Sequence, residues 1–419
     1  MHTNFKKKRQ LIIFFLFCLA FVCIIFRLHN IQILNYSLLK NKADLQHKIL
    51  IKLEPKRGDI YDSHKRLLAL NIDTYSVYAV SKDIKDREKI ASILSPLLNL
   101  EKDFLVDRLN RDKSFVWLKR KIGDKEAEIL GKTKIDSINL IKETKRFYPN
   151  DKLGCHFIGF TGIDNRGLEG LELCCDVFLK GKYGWKNALR DARRDVVHSY
   201  VEYLPPTDGF ALILTVDEIM QHIIEKEIIN IVKTSRPKGV MIVAMDPYTG
   251  EILAMANYPN FNPNHYQNVD SAFFRNMCIT DSFEPGSVFK IVVASAVLEE
   301  GLIDFEDELF CEKGSYKIGK RILHDYKPYG TLTFREVIEK SSNIGTIKAA
   351  GKLGEDKLYR YIKKFGFGSK SEIDLPGEEN GILRDVSGWS YVDMTTIPMG
   401  QGISCTALQL VNAISVIAN

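Results

Sequence analysis

A serine and a lysine stand where they can react together in the stretch EPGSVFKIVVASAVLEEG, residues 284–301. A proline and a glycine break the chain just before Ser287, and the pattern from Ser287 to Glu299 is helical and almost wholly apolar. Lys290 lies inside that apolar run, one helical turn after Ser287, so the two side chains share a face. Burial disfavours an ammonium ion and lowers its pKa, which would let Lys290 remove the Ser287 proton.

The start of a helix also favours the negative charge that develops when a hydroxyl attacks a carbonyl group. The stretch therefore predicts an activated serine nucleophile with its base. The plainer alternative is that Ser287 only caps the helix and that Lys290 extends into solvent, because S-x-x-K alone is common by chance.

A second polar segment lies within residues 331–354. Thr333 and Glu336 have capping-box spacing and predict a short helix. Ser341, Ser342 and Asn343 interrupt it before a helical pattern resumes. They fit either a plain cap or a hydroxyl and an amide presented to a cleft.

Several segments, taken in order, resemble the class B (monofunctional) penicillin-binding proteins over roughly residues 54–419. SVFK followed by SSN resembles the first two active-site motifs of that family. RGDIYD, RFYP and GLEGLE resemble its membrane-proximal module, and ILTVDEIMQ, AMDPYTGEILAMAN, FEPGSVFK and MGQGISCTALQL resemble landmarks of its transpeptidase domain. The resemblance implies an α+β fold: a single N-terminal transmembrane helix, an elongated α+β pedestal, and a partial serine β-lactamase-like transpeptidase domain with an antiparallel sheet and helices.

The resemblance also implies a reaction, peptidoglycan D,D-transpeptidation. Ser287 would attack the D-Ala-D-Ala amide of a stem peptide, with Lys290 as the base. Ser341 would relay a proton to the leaving amine, and Asn343 would bind the donor peptide and orient Lys290. An acceptor amine from a second stem peptide would then take the acyl group. β-Lactams would acylate Ser287, and neither a metal nor an organic cofactor is expected.

The partners implied are a polytopic glycan polymerase and divisome membrane proteins, and the resemblance favours septal synthesis during division over elongation. The family's third motif, K-T-G, is absent from the 419 residues. The apolar helical pattern that ends at Asn419 suggests a cut sequence. If Asn419 were the natural end, a non-catalytic divisome scaffold would be the stronger interpretation. A β-lactam sensor or a β-lactamase is a further alternative.

The N-terminus predicts a membrane anchor. The basic run Lys6–Arg9 precedes the uncharged stretch Leu11–Phe26, and no small-residue cleavage site follows. The positive-inside rule predicts a cytoplasmic N-terminus and an extracytoplasmic bulk. The resemblance implies that the membrane is a bacterial inner membrane. The predicted division of the chain is a tail (1–10), a span (11–33), a helical neck (34–54), a pedestal (55–205) and an incomplete transpeptidase domain (206–419).

Composition excludes other classes. The 59 basic residues outnumber the 53 acidic ones only slightly, and four of the positive charges belong to the N-terminal run. That balance argues against a nucleic-acid partner. The eight cysteines form no framework and are expected to be buried free thiols.

Local patterns complete the expectations. Residues 83–145 look helical and charged, and Thr215 with Glu218 predicts the start of a helix. Residues 239–259 predict a hairpin whose strand Val240–Met245 is buried on both faces. We expect His324 and Asp325 to lie in a turn. His222 and Glu225 are expected to form a pair on a helix surface.

Overall fold

The computed structural model describes residues 2–40, 48–111, 113, 115–133, 135, 137–190, 196–197, 202–319 and 321–419. The backbone divides into two compact units, one formed by Met1–Pro55 with Lys182–Asp208 and one formed by Lys56–Gly181 with Gly209–Asn419. All four candidate catalytic and substrate-binding residues belong to the second unit.

The first unit begins with helix α1 (His2–His29), which continues as a π-helical turn over Asn30–Leu34. Within this helix Leu11–Leu34 is long and apolar enough to cross a membrane. It extends one residue beyond the predicted span.

The expectation of a helical neck over residues 34–54 is wrong for its last part. Lys48–Leu53 is strand β1, which pairs antiparallel with β6 (Gly184–Arg190). Strand β6 supplies backbone partners along the whole of β1, and this long-range pairing replaces the local bonds of a helix. Strands β7 (Val196–Val197) and β8 (Tyr203–Leu204) also pair with β6.

A sheet organises the first half of the second unit. Its long strand β3 (Leu67–Ala79) pairs antiparallel with β4 (Val116–Ile122) and β5 (Ile138–Phe147). Strand β2 (Ile60–Tyr61) continues the sheet beside β3 and pairs in parallel with β9 (Leu212–Ile213).

Three helices pack on this sheet: α2 (Arg87–Leu98), α3 (Lys102–Asn110) and α4 (Asp124–Thr133). Their buried leucines join Val77 and Leu118 in one core. The expectation that 83–145 is helical throughout is therefore wrong, since β4 and most of β5 lie within it. Short helices follow at Cys155–Ile158 (α5), Gly170–Cys174 (α6) and Asp176–Leu179 (α7).

The predicted strand, helix and hairpin after residue 211 are present. Helix α8 (Glu218–Ser235) precedes the antiparallel strands β10 (Val240–Met245) and β11 (Ile252–Tyr258). Asp217 caps α8 by accepting from the backbone N–H groups of Ile219 and Met220, so the expected Thr215 cap is wrong. Every residue of β10 is only partly buried, which corrects the expectation of burial on both faces.

The remaining elements surround the candidate nucleophile. They are α9 (Met277–Thr280), α10 (Lys290–Glu299), β12 (Glu308–Phe310), β13 (Ser315–Ile318), β14 (Arg321–His324), β15 (Thr331–Thr333), α11 (Phe334–Glu339), α12 (Asn343–Leu353), α13 (Glu355–Lys364), α14 (Asp393–Thr396) and α15 (Ala407–Ala418). Strand β12 pairs with β15, and β13 pairs with β14. Helices α10, α12 and α13 share one apolar core, so the elements that carry the site are packed together.

Candidate active site

The predicted nucleophile occupies the turn before α10. A 3₁₀ turn, Gly286–Phe289, leads directly into the helix, and Ser287 within it is exposed. Phe289 is fully buried and packs edge-on against Phe367, with ring centroids 5.2 Å apart. One end of the turn is thus anchored in the core while the serine hydroxyl faces solvent.

Lys290 begins α10 and is only 3% exposed. Its ammonium donates to the Ser341 carbonyl oxygen at 2.6 Å, to Ser341 Oγ at 2.9 Å and to Asn343 Oδ1 at 2.8 Å. Burial lowers the pKa of Lys290 to about 8, and the charge of Asp325 partly opposes that shift. The alternative in which Lys290 extends into solvent is therefore wrong.

The SSN segment forms the link between α11 and α12. The Thr333–Glu336 capping box that starts α11 is present as predicted. Ser341 then turns the chain with φ of 54°, and Ser342 Oγ caps α12 by accepting from the Gly345 N–H at 3.0 Å. The segment is therefore a cap, as one interpretation of its sequence held, and it also supplies the Ser341 and Asn343 side chains that bind Lys290.

Asp325 is the site residue that the sequence pattern did not single out. It directly follows β14, and its carboxylate accepts hydrogen bonds from the Ser342 hydroxyl and from the backbone N–H groups of Asn343 and Ile344. Asp325 thus accepts hydrogen bonds from the first backbone N–H groups of α12. The expectation that Asp325 lies in a turn did not indicate this role. The I-L-H-D ending of a short strand was its only sequence signal.

A second segment holds the backbone on the N-terminal side of Ser287 in place by hydrogen bonds. Gly286 N–H donates to the Gly400 carbonyl oxygen at 3.0 Å, and Gly402 N–H donates to Glu284 Oε1 at 2.8 Å. Phe283 and Cys405 exchange two backbone hydrogen bonds, each 2.9 Å long. A Cβ atom on Gly400 would lie 2.1 Å from the Gly286 oxygen, so only glycine permits this approach.

The three pedestal motifs meet in a buried ionic cluster. Arg57 of RGDIYD and Arg146 of RFYP each donate from Nε to the carboxylate of Glu172, the last residue of GLEGLE, at 2.6 Å. Arg57 also pairs with Asp176 at 2.6 Å. The side chain of Glu172 is fully buried. Because a buried charge requires an oppositely charged partner, the three motifs each carry a charged residue at these positions.

Other candidates stay outside the site. Glu225 accepts from the Gly154 N–H and from Gln221, so the expected surface pair with His222 is not its main contact. No group of three or more His, Cys, Asp or Glu residues in the described ranges could hold a metal ion.

Comparison with known proteins identifies the family. Residues 52–214 match the family model described as the penicillin-binding protein dimerisation domain, and residues 240–419 match the penicillin-binding protein transpeptidase domain. The probable peptidoglycan D,D-transpeptidase PenA of Neisseria gonorrhoeae is 35% identical over 94% of this chain and 68% of its own length. Peptidoglycan D,D-transpeptidase FtsI of Escherichia coli K12 is 30% identical over the whole chain and 72% of its own length.

The fold has solved counterparts. A penicillin-binding protein (PBP2) of Helicobacter pylori, solved in complex with MreC, superposes with a TM-score of 0.77 at 24% identity, covering 89% of this chain and 77% of that one. This chain belongs to the class B penicillin-binding proteins, and the predicted α+β fold with its dimerisation and transpeptidase domains is confirmed. The chain spans about two thirds of the length of the curated relatives that it matches.

Proposed function

We propose that this protein is a peptidoglycan D,D-transpeptidase that works through a serine acyl-enzyme. The observation that carries the proposal is the position of Lys290. It lies one helical turn after Ser287, and its ammonium group is held by hydrogen bonds to Ser341 and Asn343. A lysine with a pKa of about 8 is neutral in a useful fraction of molecules near neutral pH, and a neutral amine accepts a proton.

The proposed reaction combines these contacts with the one-turn spacing of Ser287 and Lys290. Neutral Lys290 takes the Ser287 proton as Oγ attacks the carbonyl carbon between the two D-alanines of a donor stem peptide. The tetrahedral intermediate then expels the terminal D-Ala, whose amine receives a proton from Lys290 through the Ser341 hydroxyl. The Lys290–Ser341 distance of 2.9 Å supports this relay. An acceptor amine attacks the resulting ester, forms the new amide and returns the proton that frees Ser287.

Asn343 has two tasks in this scheme. Its Oδ1 accepts from Lys290, and its Nδ2 donates to the His324 carbonyl oxygen at 3.0 Å, which fixes the amide orientation. The second Nδ2 hydrogen is available for a carbonyl group of the donor peptide. A β-lactam would enter the same site as a substrate mimic and acylate Ser287.

The setting proposed for this activity is septal wall synthesis at the bacterial inner membrane. The apolar helix Leu11–Leu34 and the basic Lys6–Arg9 run support a cytoplasmic N-terminus and an extracytoplasmic bulk. The proposed partners are a polytopic glycan polymerase and divisome membrane proteins. The resemblance to the division-type branch supports the septal role.

Covalent labelling tests the activity. The product of the complete reading frame, in detergent, is incubated with a fluorescent penicillin, and the labelled residue is located by mass spectrometry. We expect label on Ser287 in the wild type and in Ser282→Ala, a nearby exposed serine, and none in Ser287→Ala. No label on the wild type would favour a non-catalytic scaffold. Rapid steady turnover of a chromogenic cephalosporin would favour a β-lactamase over a transpeptidase.

A further inference from the structure

Asp325 gathers three donors from the SSN segment. Its Oδ2 accepts from the Ser342 hydroxyl at 2.7 Å, and its Oδ1 accepts from the N–H groups of Asn343 at 2.6 Å and Ile344 at 3.1 Å. Both N–H groups lie in the first turn of α12, where a helix leaves its backbone donors unpaired and favours a negative charge. One carboxylate therefore fixes the start of the helix.

The same strand end also fixes the Asn343 side chain. His324, the last residue of β14, accepts from Asn343 Nδ2 through its carbonyl oxygen at 3.0 Å. Backbone and side chain of Asn343 are thus both tied to residues 324–325. Lys290 in turn donates to Asn343 Oδ1 and to Ser341. The end of β14 therefore contacts Lys290 indirectly, through Asn343.

We propose that Asp325 is a positioning residue, which sets the distance of Ser341 and Asn343 from Lys290 without itself touching the substrate. The inference rests on the proposed function, because the reaction it serves is Ser287 acylation. The role differs from that of an ordinary helix cap. Ser342 already caps α12 through Gly345, and Asp325 holds Ser342 as well as the helix backbone.

Asp325 also acts on Lys290 through its charge. Its negative field raises the pKa of Lys290 against the larger lowering caused by burial. Other titratable side chains on neighbouring elements, His324 on β14, Lys348 on α12 and Glu312 before β13, do not contribute to that shift. Glu312 is instead paired with Lys348 at 2.6 Å.

Two effects of Asp325→Asn can therefore be separated. Losing the carboxylate loosens the SSN segment, which lowers the acylation rate at every pH. Losing the negative charge favours the neutral amine, which moves the rise of the rate to lower pH. A purely structural residue would reduce the amount of active protein and leave the pH midpoint unchanged.

The experiment measures the rate constant of acylation by a fluorescent penicillin between pH 6 and 10, on the complete protein in detergent. For Asp325→Asn we expect a plateau lowered by about 10- to 100-fold, as misplacement of catalytic groups commonly causes, with a midpoint below that of the wild type. For Asp325→Glu, which keeps the charge but lengthens the side chain, we expect a lowered plateau and an unchanged midpoint. Glu312→Gln is the matched control and should resemble the wild type.

Each outcome decides the matter. A wild-type plateau and midpoint in Asp325→Asn overturn the positioning role while leaving the proposed function intact. A wild-type protein that is not acylated overturns both. If Asp325→Asn does not fold, as judged by its melting transition, Asp325→Glu and Ser342→Ala decide. Wild-type plateaus in both of those variants contradict the proposal.

Discussion

Lys290 donates to both the hydroxyl and the backbone carbonyl oxygen of Ser341, at 2.9 and 2.6 Å. Because Ser341 adopts a left-handed conformation, with φ of 54°, its carbonyl and side chain are turned towards the same amine. The lysine is consequently held by the residue that would exchange protons with it in the proposed reaction.

The acylation rate should follow the titration of Lys290. Burial lowers the pKa of Lys290 to about 8, so the amine is mostly protonated below pH 8 and only its neutral fraction can accept a proton there. We expect the acylation rate constant to rise with pH and to reach half its plateau near pH 8. Lys290→Gln should lower the plateau by about 10²- to 10⁴-fold, the usual contribution of a general base. A midpoint near 10.5, the ordinary lysine value, would contradict this assignment.

Removing the charge of Glu172 should destabilise the fold strongly. Glu172 is fully buried between Arg57 and Arg146, and Glu172→Gln leaves both guanidinium groups without their shared partner. We expect a loss of about 3–5 kcal/mol in the free energy of unfolding, measured by urea denaturation in detergent. Glu88→Gln, whose side chain is 78% exposed, should change it by less than about 0.5 kcal/mol. Equal effects of the two substitutions would rule out a structural role for the cluster.

Glycine at position 400 should matter through contact as well as conformation. Gly400 and Gly250 share φ of 76°, but an added Cβ meets the Gly286 oxygen at position 400 and nothing within 4 Å at position 250. Gly250→Ala should therefore cost about 1–2 kcal/mol of stability and leave acylation unchanged. Gly400→Ala should cost more and slow acylation, because the backbone before Ser287 must move. The melting temperature and the acylation rate are measured on both variants. Equal losses of stability and of acylation rate in the two variants would show that the contact with the Gly286 oxygen has no effect.

Thiol reactivity should divide the cysteines by burial. Burial raises the pKa of Cys155, Cys278 and Cys405 to about 12, so very little of each thiol is in the reactive thiolate form at pH 8. Burial also keeps reagents away from the three sulfur atoms. We expect iodoacetamide at pH 8 to modify them only after urea unfolding, as read by mass spectrometry, while exposed Cys174 reacts in the native protein. Native modification of the three buried thiols would show that their surroundings open readily. The exposure of Cys174 corrects the expectation of a buried thiol at that position, whereas Cys155, Cys278, Cys311 and Cys405 are buried as expected.

Local signals in the sequence predicted the local structure best. The capping box at Thr333–Glu336 is present, since it needs only residues three apart. The same signal failed at Thr215, because Asp217 is closer to the first turn of α8 and Thr215 Oγ1 donates to the Ile252 carbonyl oxygen instead.

Strands within residues 83–145 were missed for a related reason. Strands β4 and β5 carry several lysines and Arg120 on partly exposed faces, which look like the solvated side of a helix when the sheet partner is unknown. Their partner β3 begins almost 50 residues before β4, so the pairing is invisible in any short window.

Long-range contacts set the limit for the site. The motifs singled out Arg57, Arg146 and Glu172, but only the fold shows that they bind one another. Asp325 was missed because its donors lie 17 to 19 residues further along the chain, across a β-strand and a helix. Ser287 and Lys290 were accessible to sequence reasoning because one helical turn contains both.

The hydrogen bonds between residues 283–286 and 400–405 have a consequence for biosynthesis. The backbone on the N-terminal side of Ser287 is held by partners that the ribosome adds more than a hundred residues later. A nascent chain that has reached α13 already contains Ser287, Lys290, Ser341 and Asn343, yet it lacks Gly400 and Cys405. Synthesis therefore adds these hydrogen-bond partners only after the segments that form α10, α12 and α13, so the turn that contains Ser287 gains them late in translation.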